Sequence, residues 1–141
     1  MKLKVPTAVD YTPEIEIEIN DLFNQLIPNG DQIDLKNILS AKNAVSIVCC
    51  VDEKNKVVGI ASLGTYQAIS GHKGWVEDVV VDSSCRGLGI GRKLMEKILE
   101  IGKEKELSEI LLFTEDHRKP AINLYNTLEF KLKESSIYTR K

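Results

Sequence analysis

Between Trp75 and Glu100 an apolar run ends in a glycine loop, and the loop opens an amphipathic helix. The run holds Val79, Val80 and Val81, a continuous β-branched stretch suited to a strand buried on both faces. The loop reads Arg86, Gly87, Leu88, Gly89, Ile90, Gly91, Arg92. Beyond it Leu94, Met95, Ile98 and Ile101 recur at helical spacing. A helix N-terminus leaves backbone N–H groups unpaired and carries a partial positive charge. Glycines there let a ligand approach the main chain closely. The stretch therefore predicts an anion site, with phosphate as the expected anion. The competing reading is an ordinary glycine-rich strand-to-helix turn.

Two well-known phosphate loops are excluded by their spacing. No window provides the Gly-x-x-x-x-Gly-Lys-Ser/Thr of a P-loop. A dinucleotide fingerprint, Gly-x-Gly-x-x-Gly, fails from Gly87 because its third glycine falls on Arg92, and from Gly89 because it falls on Leu94. Arg-x-x-Gly-x-Gly does fit, filled by Arg86, Gly89 and Gly91. Downstream, Ala121 to Phe130 reads Ala-Ile-Asn-Leu-Tyr-Asn-Thr-Leu-Glu-Phe. Together with the preceding strand, these segments resemble the GNAT superfamily of acyl-CoA-dependent N-acetyltransferases over about residues 45 to 138.

Length and composition bound the rest. A chain of 141 residues is expected to form one domain, with 43% hydrophobic and 28% charged residues, ordinary for a globular protein. The net charge of −2 gives no basic field for nucleic acid. No apolar run approaches a membrane span, and the first residues lack a signal-peptide core, so no membrane partner and a cytoplasmic location are expected. The three cysteines, Cys49, Cys50 and Cys85, are not a disulfide framework. Cys49 and Cys50 read as small core residues, one on each face of a strand. The only histidines, His72 and His117, lie far apart, so no metal site is expected.

In chain order, Lys2 to Val9 reads as a short strand interrupted by Pro6. Thr12 is a candidate N-cap with Pro13 at the first helical position. The alternating Glu-Ile-Glu-Ile-Glu-Ile that follows could be a strand. Over a longer window Ile15, Ile19, Leu22, Phe23 and Leu26 share a helical face, and helix to about Leu26 is the reading adopted. Leu35, Ile38 and Leu39 suggest a second short helix. Val45 to Val51 and Val57 to Thr65 form a hairpin, in which Gly59 and Gly64 mark bulges or close approaches. Tyr66 to Lys73 reads as a loop before the central strand. Glu109 to Thr114 is the next strand, and Val76 to Phe113 therefore a parallel βαβ unit. Pro120 to Leu128 is the last helix, and Phe130–Lys133 and Ser136–Arg140 are terminal strand candidates.

The resemblance implies a GNAT-like three-layer α-β-α fold, with a mixed six- to seven-stranded sheet and helices on both faces. It implies acetyl-CoA as acyl-donor co-substrate, without a metal, in a wedge between the strands that end near Val81 and Thr114. Its diphosphate would lie on the main chain of Gly87, Leu88, Gly89, Ile90, Gly91 and Arg92, with Arg86 or Arg92 adding charge. Backbone groups at Val79 and Val81 would hold the pantetheine arm, and an N–H near Val79 would face the oxyanion. Glu77 is the candidate for deprotonating the amine, directly or through a water, with Asp78 in reserve. By strand alternation only one of the two could face the acceptor. Tyr125 matches the family's general acid. Two departures stand out: Arg118 where the family often has Asn, and Glu129 where a glycine usually ends the helix in a left-handed turn.

The implied function is acetyl transfer to a primary amine of a small molecule or protein in a ternary complex. A non-catalytic CoA-binding regulatory or interaction module is the rival. Acceptor specificity is expected to reside in Pro28–Ala41 and Tyr66–Lys73. Exposed edge strands near the C-terminus are compatible with a homodimer.

Overall fold

A computed structural model describes residues 1–141. It contains β1 (Lys2–Lys4), α1 (Pro13–Leu26), α2 (Leu35–Ile38), β2 (Val45–Val51), β3 (Val57–Ala68), β4 (Gly71–Val81), α3 (Ile90–Glu104), β5 (Glu109–Leu111) and α4 (Lys119–Thr127). One mixed sheet runs in sequence order, β1-β2-β3-β4-β5. The first three pairings are antiparallel and β4 with β5 is parallel.

The local chemistry of α1 settles its ambiguous sequence. Thr12 caps the helix, its hydroxyl accepting from the Ile15 N–H at 3.1 Å, and Pro13 follows at the first position. Ile19 and Leu22 are buried, whereas Ile17 is 60% exposed. A strand would have placed Ile17 with its neighbours Ile15 and Ile19; the helix turns it outward. Glu16 fastens α1 to the next element: its carboxylate accepts from the Leu35 N–H and the Tyr11 hydroxyl, both at 2.7 Å. These bonds hold its pKa below the ordinary value.

The sheet is apolar on both faces. Val48, Cys50, Val58, Ala61, Leu63 and Val76 pack beneath Ile90, Leu94, Met95, Ile98 and Ile101 of α3. Ile47, Cys49, Val51, Val57, Ile60 and Val80 pack against Ile19, Leu22, Leu35 and Leu39 on the other side. Cys49 and Cys50 thus face opposite layers, as expected, and burial pushes the Cys49 thiol up to about 12. Gly59 makes the α3 layer possible. A Cβ there would lie 2.9 Å from the Ile90 Cγ2 and 3.2 Å from the Leu94 Cδ1, so α3 rests directly on the β3 backbone.

β4 breaks step once. Ser62 pairs with Glu77 and Ile60 with Val80, so Asp78 and Val79 together oppose Ala61. This is a β-bulge, and Asp78 takes a left-handed φ of 52° within it. Val76 and Val80 are four residues apart and would share a face in a regular strand. They lie in opposite apolar layers because the bulge shifts the phase.

Several expected elements change. Tyr66–Lys73 is not a loop: β3 runs on to Ala68 and turns directly into β4 at Gly71. The register Tyr66–Lys73, Gln67–His72 and Ala68–Gly71 extends the hairpin because alternate residues continue to pair without a breaker. β1 is shorter than expected, since Pro6 cannot donate to a ladder and Ala8–Asp10 forms a 3-10 turn. β5 stops at Leu111 rather than Thr114. Phe130–Lys133 and Ser136–Arg140 are not strands, so the sheet has five strands rather than six or seven. The terminal segment is exposed, fastened beside β5 by Lys133 to Glu109 at 2.7 Å.

Helix α4 ends as a glycine would end it, with Glu129 in the left-handed conformation at φ 68°. The Phe130 N–H bonds to the Tyr125 carbonyl at 3.0 Å and the Glu129 N–H to the Asn126 carbonyl at 3.2 Å, completing a Schellman motif. The Phe130 ring meets Tyr125 edge-on at 6.0 Å. A Cβ at this φ costs about 1–2 kcal/mol. Glu129→Gly is therefore expected to stabilise the fold by about 1 kcal/mol, read as a rise of a few degrees in Tm. Gly59→Ala is expected to destabilise by about 1–3 kcal/mol through overpacking against α3. Unchanged melting of the Gly59→Ala variant would contradict the packing described.

Candidate functional site

The parallel pairing of β4 with β5 covers three residues, Lys73–Glu109, Gly74–Ile110 and Trp75–Leu111. Beyond Trp75 and Leu111 the two segments part, although β4 continues to Val81. A cleft of about 850 Å³ fills the gap. Val76 to Val81 form one wall and Leu112 to Glu115 the other. The end of α1, at Gln25 to Ile27, and the α4 residues Ala121, Leu124 and Tyr125 close the sides.

The loop at the cleft's end is held from behind. The Asp82 carboxylate accepts from the Ser84 N–H at 2.9 Å and the Ser84 hydroxyl at 2.8 Å, which lowers its pKa. The Gln25 side chain accepts from the Ser83 N–H at 2.9 Å and ties the end of α1 to the loop. Gly87 and Gly89 then take φ values of 82° and 76°, a region L-residues avoid, and Gly89 becomes the N-cap of α3. The first backbone bond of the helix runs from the Lys93 N–H to the Gly89 carbonyl. The N–H groups of Gly87 through Arg92 have no acceptor within the chain. Six consecutive unpaired donors thus stand at the positive end of a helix of 15 residues.

The two loop arginines differ. Arg92 bonds the Thr127 hydroxyl and pairs with Glu96 at 3.5 Å, bridging α3 to α4. Arg86 is exposed and makes no hydrogen bond or ion pair. Arg118 also lines the cleft, whereas Lys119 does not. His117 stands at the mouth, largely exposed and 3.2 Å from Glu115.

Glu77 and Asp78 both line the cleft. The bulge interrupts regular alternation, so both border the cleft, and Glu77 alone of the two also borders a second cavity. Both reach solvent through the open mouth, yet the surrounding chain is dense enough to raise their pKa values. Burial is the first cause for each, and the Asp78 charge adds to the effect on Glu77. The main chain at Asp78 and Val79 has no register partner in β3, and β5 is already gone. Tyr125 is half-buried on the opposite side, and its hydroxyl makes no hydrogen bond within the chain. Burial raises its pKa, partly offset by Arg118, so it remains a phenol at neutral pH.

The structure thus gathers Glu77, Val79, Val81, Arg86, Gly87, Gly89, Ile90, Gly91, Arg92 and Tyr125 on one cleft. Leu88 is the exception, 60% exposed and off the wall. A second cavity, of about 410 Å³, shares Glu77 and Phe113 with the first and includes Tyr66 and Trp75. Sequence reasoning missed Gln25, Trp75 and Phe113, which sit on ordinary apolar or helical positions and carry no motif. Pro28–Ala41, expected to shape specificity, lines neither cavity.

Residues 13–130 match the model of the acetyltransferase (GNAT) family. The chain is 32% identical over 108 residues to glucosamine 6-phosphate N-acetyltransferase of Trypanosoma brucei brucei, covering 72% of this chain and 71% of that protein. It is 36% identical over 63 residues to thialysine N-epsilon-acetyltransferase of Sus scrofa, covering 45% of this chain and 37% of that protein. The fold superposes on an aminoglycoside acetyltransferase from an uncultured soil metagenomic sample with a TM-score of 0.83 and 20% identity, over 99% and 94% of the two chains.

Two raised carboxylates side by side have a consequence for stability. A carboxyl whose folded pKa lies above its unfolded value favours the fold below the unfolded pKa. That contribution is lost as pH rises through the folded pKa. Asp78→Asn removes one such charge and keeps a residue tolerant of positive φ. It is expected to raise Tm at pH 7 and to lower the pH at which Glu77 titrates, read by carbon-13 NMR of the carboxyl groups. A Glu77 titration unmoved by Asp78→Asn would contradict the coupling.

Proposed function

The chain belongs to the GNAT acetyltransferase family, and we propose that it transfers an acetyl group from acetyl-CoA to a primary amine of a small molecule or protein. Transfer is by direct attack in a ternary complex, within one N-acetyltransferase domain over residues 1–141. The observation that carries this reading is the row of six unpaired N–H groups from Gly87 to Arg92, opening into a cleft between parted strands.

The residues present fit the co-substrate. A diphosphate needs several donors on a concave surface, and the loop offers six with the α3 dipole behind them. Arg86, free of any partner, adds a charge; Arg92 is already engaged with Glu96 and Thr127. An extended arm between the parted strands would meet the main chain at Asp78 and Val79, which have no register partner in β3 or β5, and then Val81. Bound there, acetyl-CoA supplies an activated thioester.

The chain's own groups then divide the work. Glu77 takes a proton from the amine, directly or through a water, so that nitrogen can attack the thioester carbonyl. Its raised pKa makes it a stronger base than an ordinary glutamate. The N–H near Val79 stabilises negative charge developing on the carbonyl oxygen. The new C–N bond forms as the C–S bond breaks, and Tyr125 donates its proton to the departing thiolate. Burial supports this role by keeping the phenol protonated.

Tyr125→Phe and Glu77→Gln are each expected to lower kcat by about 100-fold, within the usual range for a general acid or base. Acetyl-CoA affinity should stay within about twofold, because neither side chain belongs to the donor loop. Arg86→Ala should instead weaken acetyl-CoA binding by about tenfold, the size of one lost charge-assisted contact. The acidic limb of kcat/KM should be displaced upward from that of an ordinary glutamate and vanish in Glu77→Gln. Acetylation unaffected by either Tyr125→Phe or Glu77→Gln would remove these residues from the mechanism. A chain that binds acetyl-CoA and acetylates no amine would favour the non-catalytic module.

A further inference from the structure

The second cavity lies on the α1 face of the sheet and shares two lining residues with the cleft, Glu77 and Phe113. Its other walls are mostly apolar. Trp75 and Phe113 stand edge to face at 6.0 Å, and Tyr66 and Val45 complete the ring. Phe113 is 66% exposed and Tyr66 44% exposed, open aromatic surface in a chain with only 6% aromatic residues. Trp75 is the single tryptophan. Gly64 forms the floor: a Cβ there would meet nothing closer than Val45 Cγ2 at 3.8 Å.

The charges are divided. Arg86, Arg92, His117 and Arg118 all line the first cleft. None of the nine residues lining the second cavity is Lys, Arg or His, and its one ionisable carboxyl is Glu77. Lys73, two residues along β4 and paired in register with both Tyr66 and Glu109, flanks the cavity outside its nine lining residues. A phosphate or carboxylate on the acceptor would find no counter-charge among the lining residues and would face Glu77. An ammonium group would find both the carboxylate and the negative faces of aromatic rings.

We infer that this cavity is the acceptor site and that its ligand is a primary amine on an aromatic or apolar stem, lacking any anionic group. The inference deepens the acetyl-transfer reading and rests on it. The ammonium lies at Glu77, at the junction with the cleft, and the stem lies among Tyr66, Trp75 and Phe113 above Gly64. Sugar phosphates and amino acids with a free carboxylate are thereby disfavoured.

Trp75 gives a direct test, because the one tryptophan sits in the site. With CoA present, 2-phenylethylamine is titrated while Trp75 emission is followed, and glucosamine 6-phosphate is titrated in parallel. A saturable change with the amine is expected, and none with the sugar phosphate at tenfold higher concentration. Gly64→Leu should weaken the amine response at least tenfold by filling the cavity, while acetyl-CoA still raises Tm as in the parent. Tyr66→Ala, at an exposed position, should weaken it as well with the fold intact. In turnover, kcat/KM should favour the amine over the sugar phosphate at least tenfold. No saturable response to the amine, or an equal or stronger one to glucosamine 6-phosphate, would overturn the inference. Loss of the acetyl-CoA effect in the parent protein would instead strike the acetyl-transfer reading itself.

Discussion

Everything at the candidate site depends on the parting of β4 and β5. The two strands pair for only three residues. From there β4 stays paired on its other side with β3 as far as Val81, except at the bulge of Asp78 and Val79. The parting leaves main-chain groups without ladder partners, a condition that a buried sheet does not tolerate and an open cleft does. The bulge at Asp78 compounds it by removing the β3 partner of the same segment. Helix α3 fixes the geometry because Ile90 and Leu94 rest on the bare backbone at Gly59. That contact holds the first turn of α3, and with it the free amides, at the end of the cleft.

Charge is arranged along this cavity system in a definite order. Arginines and a helix N-terminus lie at one end, two coupled carboxylates in the middle, and aromatic rings at the other end. The carboxylates cost stability at neutral pH, since burial opposes the ionisation of both and the Asp78 charge adds to the effect on Glu77. The strained φ at Asp78 is part of the same arrangement: it comes with the bulge that brings Glu77 and Asp78 onto one cleft. Glu129 is different. Its left-handed turn serves only to end α4 and dock Phe130 against Tyr125, and a glycine would serve as well.

Much of this was legible in the sequence where residue chemistry is local. Thr12 and Pro13 marked the start of α1 correctly. Val45–Val51 was delimited to the residue, and Cys49 and Cys50 do divide between the two faces. The Arg86–Arg92 loop sits where its glycines and the following periodicity placed it. What was not legible is long-range. The hairpin over Tyr66–Lys73 is held by cross-strand register, which a window of polar residues and glycine does not reveal. The bulge at Asp78 has no compositional mark, so alternation does not reveal that Glu77 and Asp78 both border the cleft. Trp75 on β4 and Phe113 just beyond β5 are separated in the chain by α3, and no linear pattern joins them. The expected terminal strands, Phe130–Lys133 and Ser136–Arg140, do not form, and the segment is exposed.

The central claim is that the free amides of Gly87–Arg92 and the cleft beside them bind acetyl-CoA. Thermal unfolding with and without acetyl-CoA tests it most directly, with NAD and ATP as controls. A ligand at about 100 times its Kd stabilises by roughly 2.7 kcal/mol. For a chain of this size that is a rise of at least several degrees in Tm. The account predicts such a rise with acetyl-CoA, none of comparable size with NAD or ATP, and a smaller one after Arg86→Ala. No rise at saturating acetyl-CoA would contradict it.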